Sequence, residues 1–237
     1  MIVAIHQPQF MPWLGYFDKL DRCDHFVLLD TVQYKKNEWQ NRNRIKTAQG
    51  GQWLTVPVRF RFPADIDEVT VNEDTNWRHK HWQSLVTNYS RAPHWEALEP
   101  ALKELYERPW PELAELNRAT VEMLAGALGI GTTTTLASRL EGIGGDPTGR
   151  LVDLCRALGA DTYLSGAGGA SYMDLGQFEE VDIEVIFQQY DHPTYPQLFG
   201  EFQSHLSALD LVLNCGPDSL SILRRGSNQG PRTSAEE

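Results

Sequence analysis

The sequence predicts an α/β fold built on a mostly parallel sheet. Two short, apolar, β-rich runs, "IVAIH" at 2–6 and "HFVLLD" at 25–30, are separated by "LGYFDKLDRC", where Leu14, Phe17 and Leu20 recur near helical spacing. Strand, helix and strand within about 30 residues form a βαβ unit, whose strands are parallel. The same alternation returns in the second half of the chain. We therefore expect a Rossmann-like sheet with helices on both faces and an inserted helical block.

A hairpin and the helical block are expected between the two parts of the sheet. Runs at 41–47 and 52–58 flank "AQGG", which predicts a hairpin whose turn holds Gly50 and Gly51. The helical block spans about 76–130. Its last helix shows helical spacing of Leu113, Leu116, Thr120, Leu124 and Leu128, and Gly129 ends it.

The α/β pattern resumes with "TTTTLAS" at 132–138, a β-rich run. Asp146 and Pro147 form a cap and first-turn pair that starts a helix. "DTYLSG" and "IEVIFQ" read as strands, and "LSALDLVLN" and "DSLSILRR" read as the final helices. We expect a single domain over 1–225 and a disordered polar tail at 226–237.

Composition and charge narrow the class of protein. The 237 residues include three cysteines without CxxC spacing, so neither a disulfide framework nor a zinc site is expected, and a cytoplasmic location fits. The sequence shows no signal-peptide pattern and no apolar run of the roughly 20 residues that a membrane span needs. The net charge of −11 argues against general nucleic-acid binding.

Three polar loops follow strands of the predicted sheet. They are "QPQFMPWLGY", "TVQYKKNEWQNRNR" and "SGAGGASYMD". Ligands of open α/β sheets bind at the carboxyl ends of the strands, and the topology brings these loops to that edge. We therefore predict that the loops form one site, and that Gln7, Tyr16 and Tyr172 contribute to it.

Histidines and the first helix supply candidate chemistry. His6 ends the first strand and is either a hydrogen-bonded structural residue or a general base. Gly15 opens the first helix, where it either allows close helix–strand packing or exposes backbone N–H groups to an anion. His192, beside Asp191 in "YDHPTYPQ", is a second acid–base candidate, although a loop-capping role is the commoner one.

The second loop opens a basic segment. From Lys35 to Arg61 the chain carries seven basic residues and one acidic residue, which fits either a solvated hairpin face or an anion-binding surface. If 41–46 is a strand, Asn41 and Asn43 share one face and Arg42 and Arg44 the other. Amides, an Arg fork and an aromatic ring favour substrate binding. The candidates are Gln33, Lys35, Trp39, Asn41, Arg42 and Asn43.

The third loop, "SGAGGASY" at 165–172, places Ser165 and three glycines after a strand. Such turns let backbone amides approach an oxyanion or phosphate, so Ser165, Gly166 and Gly168 are candidates. The spacing is neither GxGxxG nor GxxxxGK[ST], so the motif alone is a weak signal. No strong metal or covalent-nucleophile signature is present.

Taken together, several segments resemble one family. "IHQPQFMPWLGYFDKL" and "DHFVLLDTVQYKKNEWQNRNRIK" are the specific ones, and "TYLSGAGGASYMD", "HPTYPQ" and "LSALDLVLNCG" support them. Over residues 1–218 the chain is similar to the WbqC-like protein family. This resemblance implies an association with O-antigen and other surface-polysaccharide gene clusters, and a glycine, or aminoacyl, transferase activity.

A more distant likeness concerns the fold. The strand order is similar to that of the nucleotidylyltransferases, which bind ATP phosphates through HxGH at the first helix. Here the corresponding residues are Trp13, Leu14, Gly15 and Tyr16, so both histidines are absent. This departure counts against adenylyl transfer from ATP.

Three functions stay open from the sequence. The first is transfer of a small aminoacyl group, such as glycine, to a sugar-like or small-molecule acceptor, with charged tRNA as one conceivable donor. The second is a nucleotide-dependent ligase or nucleotidyltransferase, and the third is a non-catalytic sugar- or nucleotide-binding module. The sequence names neither a cofactor nor an oligomeric state.

Overall fold

The computed structural model describes residues 1–144 and 146–228. The strands are β1 (Ile2–His6), β2 (His25–Leu28), β3 (Arg42–Thr47), β4 (Gly50–Thr55), β5 (Val58–Arg59), β6 (Thr70–Val71), β7 (Thr133–Leu136), β8 (Thr162–Ser165) and β9 (Glu184–Phe187). The helices are α1 (Leu14–Asp21), α2 (Trp77–Tyr89), α3 (Trp95–Glu107), α4 (Leu113–Leu128), α5 (Pro147–Ala157), α6 (Gly176–Glu179), α7 (Ala208–Cys215) and α8 (Ser219–Arg225).

A five-stranded, all-parallel sheet forms the centre of the fold, in the order β7-β2-β1-β8-β9. In the middle of β1, Ala4 pairs with Phe26 on one side and with Leu164 on the other. Counted along the chain, the order of the parallel strands is 3-2-1-4-5, as in a Rossmann sheet. The predicted α/β fold with a mostly parallel, Rossmann-like sheet is confirmed.

Both faces of the sheet are buried, because helices cover each of them. One face contributes Ala4, Phe26 and Leu28 to a core shared with α1, α4 and α7. The opposite face contributes Val3 and Ile5 to a second core with α5 and α6. This double burial explains why the parallel strands read as nearly continuous apolar runs rather than as alternating ones.

The hairpin β3–β4 forms where the sequence predicts it, but its turn is different. Thr47 pairs with Gly50, so Ala48 and Gln49 make the two-residue turn. The predicted turn at Gly50 and Gly51 is therefore wrong by two residues. Gly50 instead opens β4 with φ of 107°, a conformation that side chains other than hydrogen disfavour.

The predicted helical block at 76–130 corresponds to α2, α3 and α4, which lie between β2 and β7 in the chain. Gly129 ends α4 in the left-handed conformation, with φ of 80°. Within the predicted tail at 226–237, Ser227 forms an isolated β-bridge with Tyr190. Residues 229–237 of that tail lie outside the described residues. In the part of the chain that the structure describes, no helix has the length and apolar character needed to cross a membrane.

Candidate functional site

A cavity of about 270 Å³ opens at the carboxyl ends of β1 and β8. We call it the edge cavity. It lies where ligands bind in parallel α/β sheets. Apolar walls come from Ile5, Leu29, Leu151 and Tyr163. The rest of the lining is His6, Gln7, Lys19, Ser165, Gly166, Gly168, Gly169 and Tyr172. Residues of the first and third predicted loops therefore meet in one place.

His6 is a neutral base in this cavity. Its Nδ1 lies 3.1 Å from the carbonyl oxygen of Gln7, and because a carbonyl only accepts hydrogen bonds, Nδ1 carries the proton. Nε2 is then left with its lone pair. Burial, together with the positive charge of Lys19, lowers the pKa of His6 to about 3, while the bond to Gln7 opposes the shift.

Tyr16 and Gln40 hold His6 and Gln7 in position. The Tyr16 ring meets the His6 ring edge-on at 4.8 Å, and its hydroxyl donates to the carbonyl of Gln7 at 3.3 Å. Gln40 Nε2 donates to Gln7 Oε1 at 2.8 Å and so fixes the side chain of Gln7. Tyr16 is only 1% exposed, so it holds His6 and Gln7 in place rather than facing a ligand.

Lys19 is the member of the site that sequence reasoning missed. It lies on α1, is 1% exposed, and its Nζ donates to the carbonyl of Ile5 at 2.9 Å. Burial lowers the pKa of Lys19 to about 8, and Cys23 opposes the shift. Helical spacing gave no signal for Lys19, because its burial follows from the packing of α1, which buries every residue from Leu14 to Leu20.

The glycine-rich loop lines the same cavity as Lys19 of α1. Ser165 is 1% exposed and its hydroxyl donates to the carbonyl of Gly166 at 3.2 Å. Gly169 packs so closely that a Cβ there would lie 2.1 Å from the Ser165 hydroxyl oxygen. Among the described residues, no acceptor is found for the backbone N–H groups of Gly166 and Gly168, and both residues line the cavity.

A second cavity, of about 400 Å³, adjoins the first and shares Gln7, Leu29, Leu151 and Tyr172 with it. Tyr172 is 66% exposed and stands where the two cavities meet. Gln33 and Arg150 belong to the second cavity, and Arg150 donates to the carbonyl of Thr31 at 2.8 Å. The second predicted loop thus reaches the site through Gln33.

The paired asparagines of β3 have a different environment. As predicted, Asn41 and Asn43 lie on one face and Arg42 and Arg44 on the other, with both asparagines buried. Asn41 Nδ2 donates to the Val56 carbonyl at 2.9 Å, and Asn43 Nδ2 donates to the Met11 carbonyl at 2.7 Å. These donors serve the backbone, and neither residue lines the edge cavity.

The exposed face of the hairpin carries the basic and aromatic residues. The guanidinium of Arg42 lies 4.3 Å from the ring centroid of Trp53, and Trp39 packs against Trp53 at 5.5 Å. The Lys35 side chain is exposed, while its backbone N–H donates to Gln40 Oε1 at 2.8 Å. Lys35, Trp39 and Arg42 therefore lie on the surface beside the site instead of inside the edge cavity.

Gly15 serves close packing. A Cβ on Gly15 would lie 2.3 Å from the Trp13 ring, so the indole covers the first turn of α1. Just before this turn, Trp13 forms an isolated β-bridge with Ser207, and the Pro12 carbonyl accepts from the Ala208 N–H. The first turn of α1 therefore offers no open surface to an anion, which counts against the anion-binding role considered for Gly15.

His192 packs against Trp13, outside the cavity that His6 lines. Its ring stacks on Trp13 at 6.4 Å and lies 5.0 Å from the ring of His205. Nδ1 is 2.9 Å from the Pro193 carbonyl, so it donates there. Burial lowers the pKa of His192, and that bond opposes the shift. His192 does not line the edge cavity.

Comparison with known proteins gives a consistent result. The model of the WbqC-like protein family matches residues 7–222. The uncharacterized protein Rv1507c of Mycobacterium tuberculosis (strain ATCC 25618 / H37Rv) is 40% identical over 226 residues, which cover 94% of this chain and 97% of that protein. No solved structure matches the chain. Because the family model and this relative each span most of the chain, the protein belongs to the WbqC-like protein family.

Proposed function

We propose that the protein is a small-group transferase that moves an aminoacyl group, such as glycyl, onto an amino or hydroxyl group of a sugar-like or small-molecule acceptor. The observation that carries the proposal is His6, held neutral in the edge cavity with Nδ1 bonded to Gln7 and Nε2 free. A neutral imidazole can take the proton that an attacking amine or hydroxyl has to lose.

The transfer would proceed by addition and elimination at the carbonyl carbon of the donor. The acceptor nitrogen or oxygen attacks that carbon, and His6 Nε2 takes the acceptor's proton. The resulting oxyanion lies against the unpaired amides of Gly166 and Gly168, which favour negative charge. The bond to the leaving group then breaks, and His6 returns the proton to the departing oxygen or sulfur.

The donor is proposed to approach along the second cavity. Gln33 and Tyr172 line this route, and the exposed ring of Tyr172 offers a surface for a flat group. If the donor is charged tRNA, its phosphates would meet the basic hairpin face at Lys35 and Arg42. Association would then weaken steeply with added salt, whereas a small activated donor would show a shallow dependence.

The experiment supplies radiolabelled glycine in two forms, as charged tRNA and as a small glycyl thioester, with a panel of amino sugars and nucleotide-linked amino sugars as acceptors. We expect labelled product, and a loss of at least about 100-fold in rate for His6→Gln. His79→Gln, at an exposed histidine of α2, is the matched control and should leave the rate unchanged. An unchanged rate in His6→Gln, or no product from either donor, would contradict the proposal.

A nucleotide-dependent ligase or nucleotidyltransferase is the second candidate, favoured by the 3-2-1-4-5 strand order. The covered first turn of α1 counts against it, because Trp13 occupies the place where phosphates would approach Gly15. Calorimetric titration with ATP and CTP separates the two candidates. Tight binding of either nucleotide would favour the ligase, and product formation without nucleotide would favour the transferase and exclude a mere binding module.

A further inference from the structure

Lys19 is a buried cation with spare hydrogen-bonding capacity. An ammonium has three donors, and the Lys19 ammonium donates one hydrogen bond, to the carbonyl of Ile5, and lies 5.9 Å from the centroid of the Phe26 ring. Among the described residues, no carboxylate lies within ion-pairing distance of its Nζ. The neighbouring Asp18 carboxylate instead accepts from Gln188 at 2.7 Å and lies 3.7 Å from Arg22.

The cavity around Lys19 is built for negative charge. No acidic side chain is among its described lining residues, and the neighbours of Lys19 include the hydroxyl of Ser165 and the unpaired amides of Gly166 and Gly168. Burying a cation without a partner is costly. An arriving anion would remove that cost and would be bound by charge-assisted hydrogen bonds.

We propose that Lys19 is the anion anchor of the edge cavity and that the natural substrate carries a carboxylate or phosphate group, which the ammonium binds while the amides of Gly166 and Gly168 stay available for the oxyanion. This inference rests on the proposed function, since it names the substrate class of the same site. The anionic group would be the fixed end of the substrate, and the reacting group would lie toward His6 and the second cavity.

Binding at Lys19 would also activate His6. Burial is the larger cause of the lowered pKa of His6, and the positive charge of Lys19 is the second. A bound anion neutralises that charge and so raises the pKa of His6 toward its ordinary range, which makes it a stronger base. Lys19 therefore couples substrate binding to proton transfer, so that His6 is most basic when substrate is present.

Anion binding should be lost at alkaline pH. His6 from β1 and Cys23 beyond α1 interact with the charge of Lys19. Two phenols lie nearby, that of Tyr16, which packs on His6, and that of Tyr163, which lines the cavity. His6 is already neutral above pH 6, and burial raises the pKa of both phenols. Lys19 is the group that changes charge near pH 8, so affinity for an anion should fall above that pH.

The test is calorimetric titration with sodium acetate and with sodium phosphate at constant ionic strength and pH 7. Lys19→Met is compared with wild type, and Lys46→Met is the matched control, because Lys46 is equally buried but donates to Glu201 outside the cavity. We expect saturable binding of at least one anion, at least tenfold weaker in Lys19→Met and unchanged in Lys46→Met. The tighter anion identifies the class. Equal binding in Lys19→Met and wild type, or no saturable binding to wild type, would overturn the proposal.

A measurement on the wild-type chain keeps the test valid if Lys19→Met fails to fold. The ¹⁵Nζ resonance of Lys19, assigned with Lys19→Arg, should titrate near pH 8, and its midpoint should move upward when the anion is added. An unmoved midpoint at a saturating anion concentration would contradict the proposal. Neither measurement requires turnover, so a failure of glycyl transfer and a failure of anion binding are separate results.

Discussion

The β3–β4 hairpin and the edge cavity both bury polar side chains, but they use them in opposite ways. In the hairpin, the amide of Asn43 bonds both the Met11 carbonyl and the Arg44 N–H, and the ammonium of Lys46 bonds the Glu201 carbonyl at 2.5 Å. In the cavity, Lys19 and the neutral His6 each make one recorded bond and keep further capacity toward an open volume. The site differs from the scaffold because its buried polar groups line an open cavity, whereas Asn43 and Lys46 do not.

The largest expected difference is between Asn43→Ala and Ser165→Ala. Asn43→Ala leaves the Met11 carbonyl and the Arg44 N–H unpaired at a buried position and should lower the free energy of unfolding by about 3 kcal/mol. Ser165→Ala removes one hydroxyl whose recorded bond goes to the adjacent residue and should cost about 1 kcal/mol or less. Urea unfolding measures both. Equal losses would show that the two regions do not differ.

The two buried lysines should respond with different sign. Lys46→Met removes the hydrogen bond from its ammonium to the backbone carbonyl of Glu201 and an attraction to Asp210, and should cost about 2 kcal/mol. Lys19→Met removes a cation whose pKa burial has lowered to about 8, so stability at pH 7 should hold or rise by about 1 kcal/mol.

The pH dependence of the free energy of unfolding tests whether Lys19 has the lowered pKa of about 8. The unfolded chain binds more protons than the folded one between about pH 8 and the ordinary lysine value of about 10.5, so the free energy of unfolding should rise across that window. The rise should disappear in Lys19→Met and persist in Lys46→Met. A rise of the same size in Lys19→Met would assign it to another group.

The last comparison concerns the loss of stability in acid. Burial lowers the pKa of His6 to about 3 and that of His81, on α2, to about 4. The unfolded chain therefore binds more protons below pH 6.5, and each histidine should reduce stability by up to about 1.4 kcal/mol per pH unit as the pH falls toward 4.

An anion distinguishes the two histidines. His6→Gln and His81→Gln each remove the part of the acid-induced loss of stability that the replaced histidine causes. Phosphate or acetate should reduce the part caused by His6, because the anion raises the pKa of His6 by neutralising Lys19. It should leave the part caused by His81 unchanged. Urea unfolding of both variants between pH 4 and 7, with and without the anion, measures this. If the anion changed both parts equally, the pKa of His6 would not depend on the charge of Lys19.

Much of the fold was predictable from local pattern. Short apolar runs, the Asp146–Pro147 helix start and Gly129 led to the parallel sheet, α5 and the end of α4. The turn of the hairpin was misplaced because glycine was taken as the mark of the turn, whereas Gly50 is used for its positive φ at the first position of β4.

The site was predictable only in outline. His6, Gln7, Ser165, Gly166 and Gly168 do meet, because the carboxyl ends of parallel strands share an edge. Lys19 was missed because its burial depends on how α1 packs against the sheet, which spacing alone does not reveal. The partners of Asn43 and the position of His192 depend on contacts with Met11 and Trp13, far away in the chain.

The most direct test of the account is to map where a small carboxylate binds. N-acetylglycine is titrated into ¹⁵N-labelled protein, and the amide chemical shifts are followed at His6, Lys19, Gly166 and Gly168 and across the hairpin. The account predicts saturable shifts that centre on the edge cavity and weaken in Lys19→Met. Shifts centred on the basic hairpin face around Arg42, or no saturable shifts at all, would contradict it.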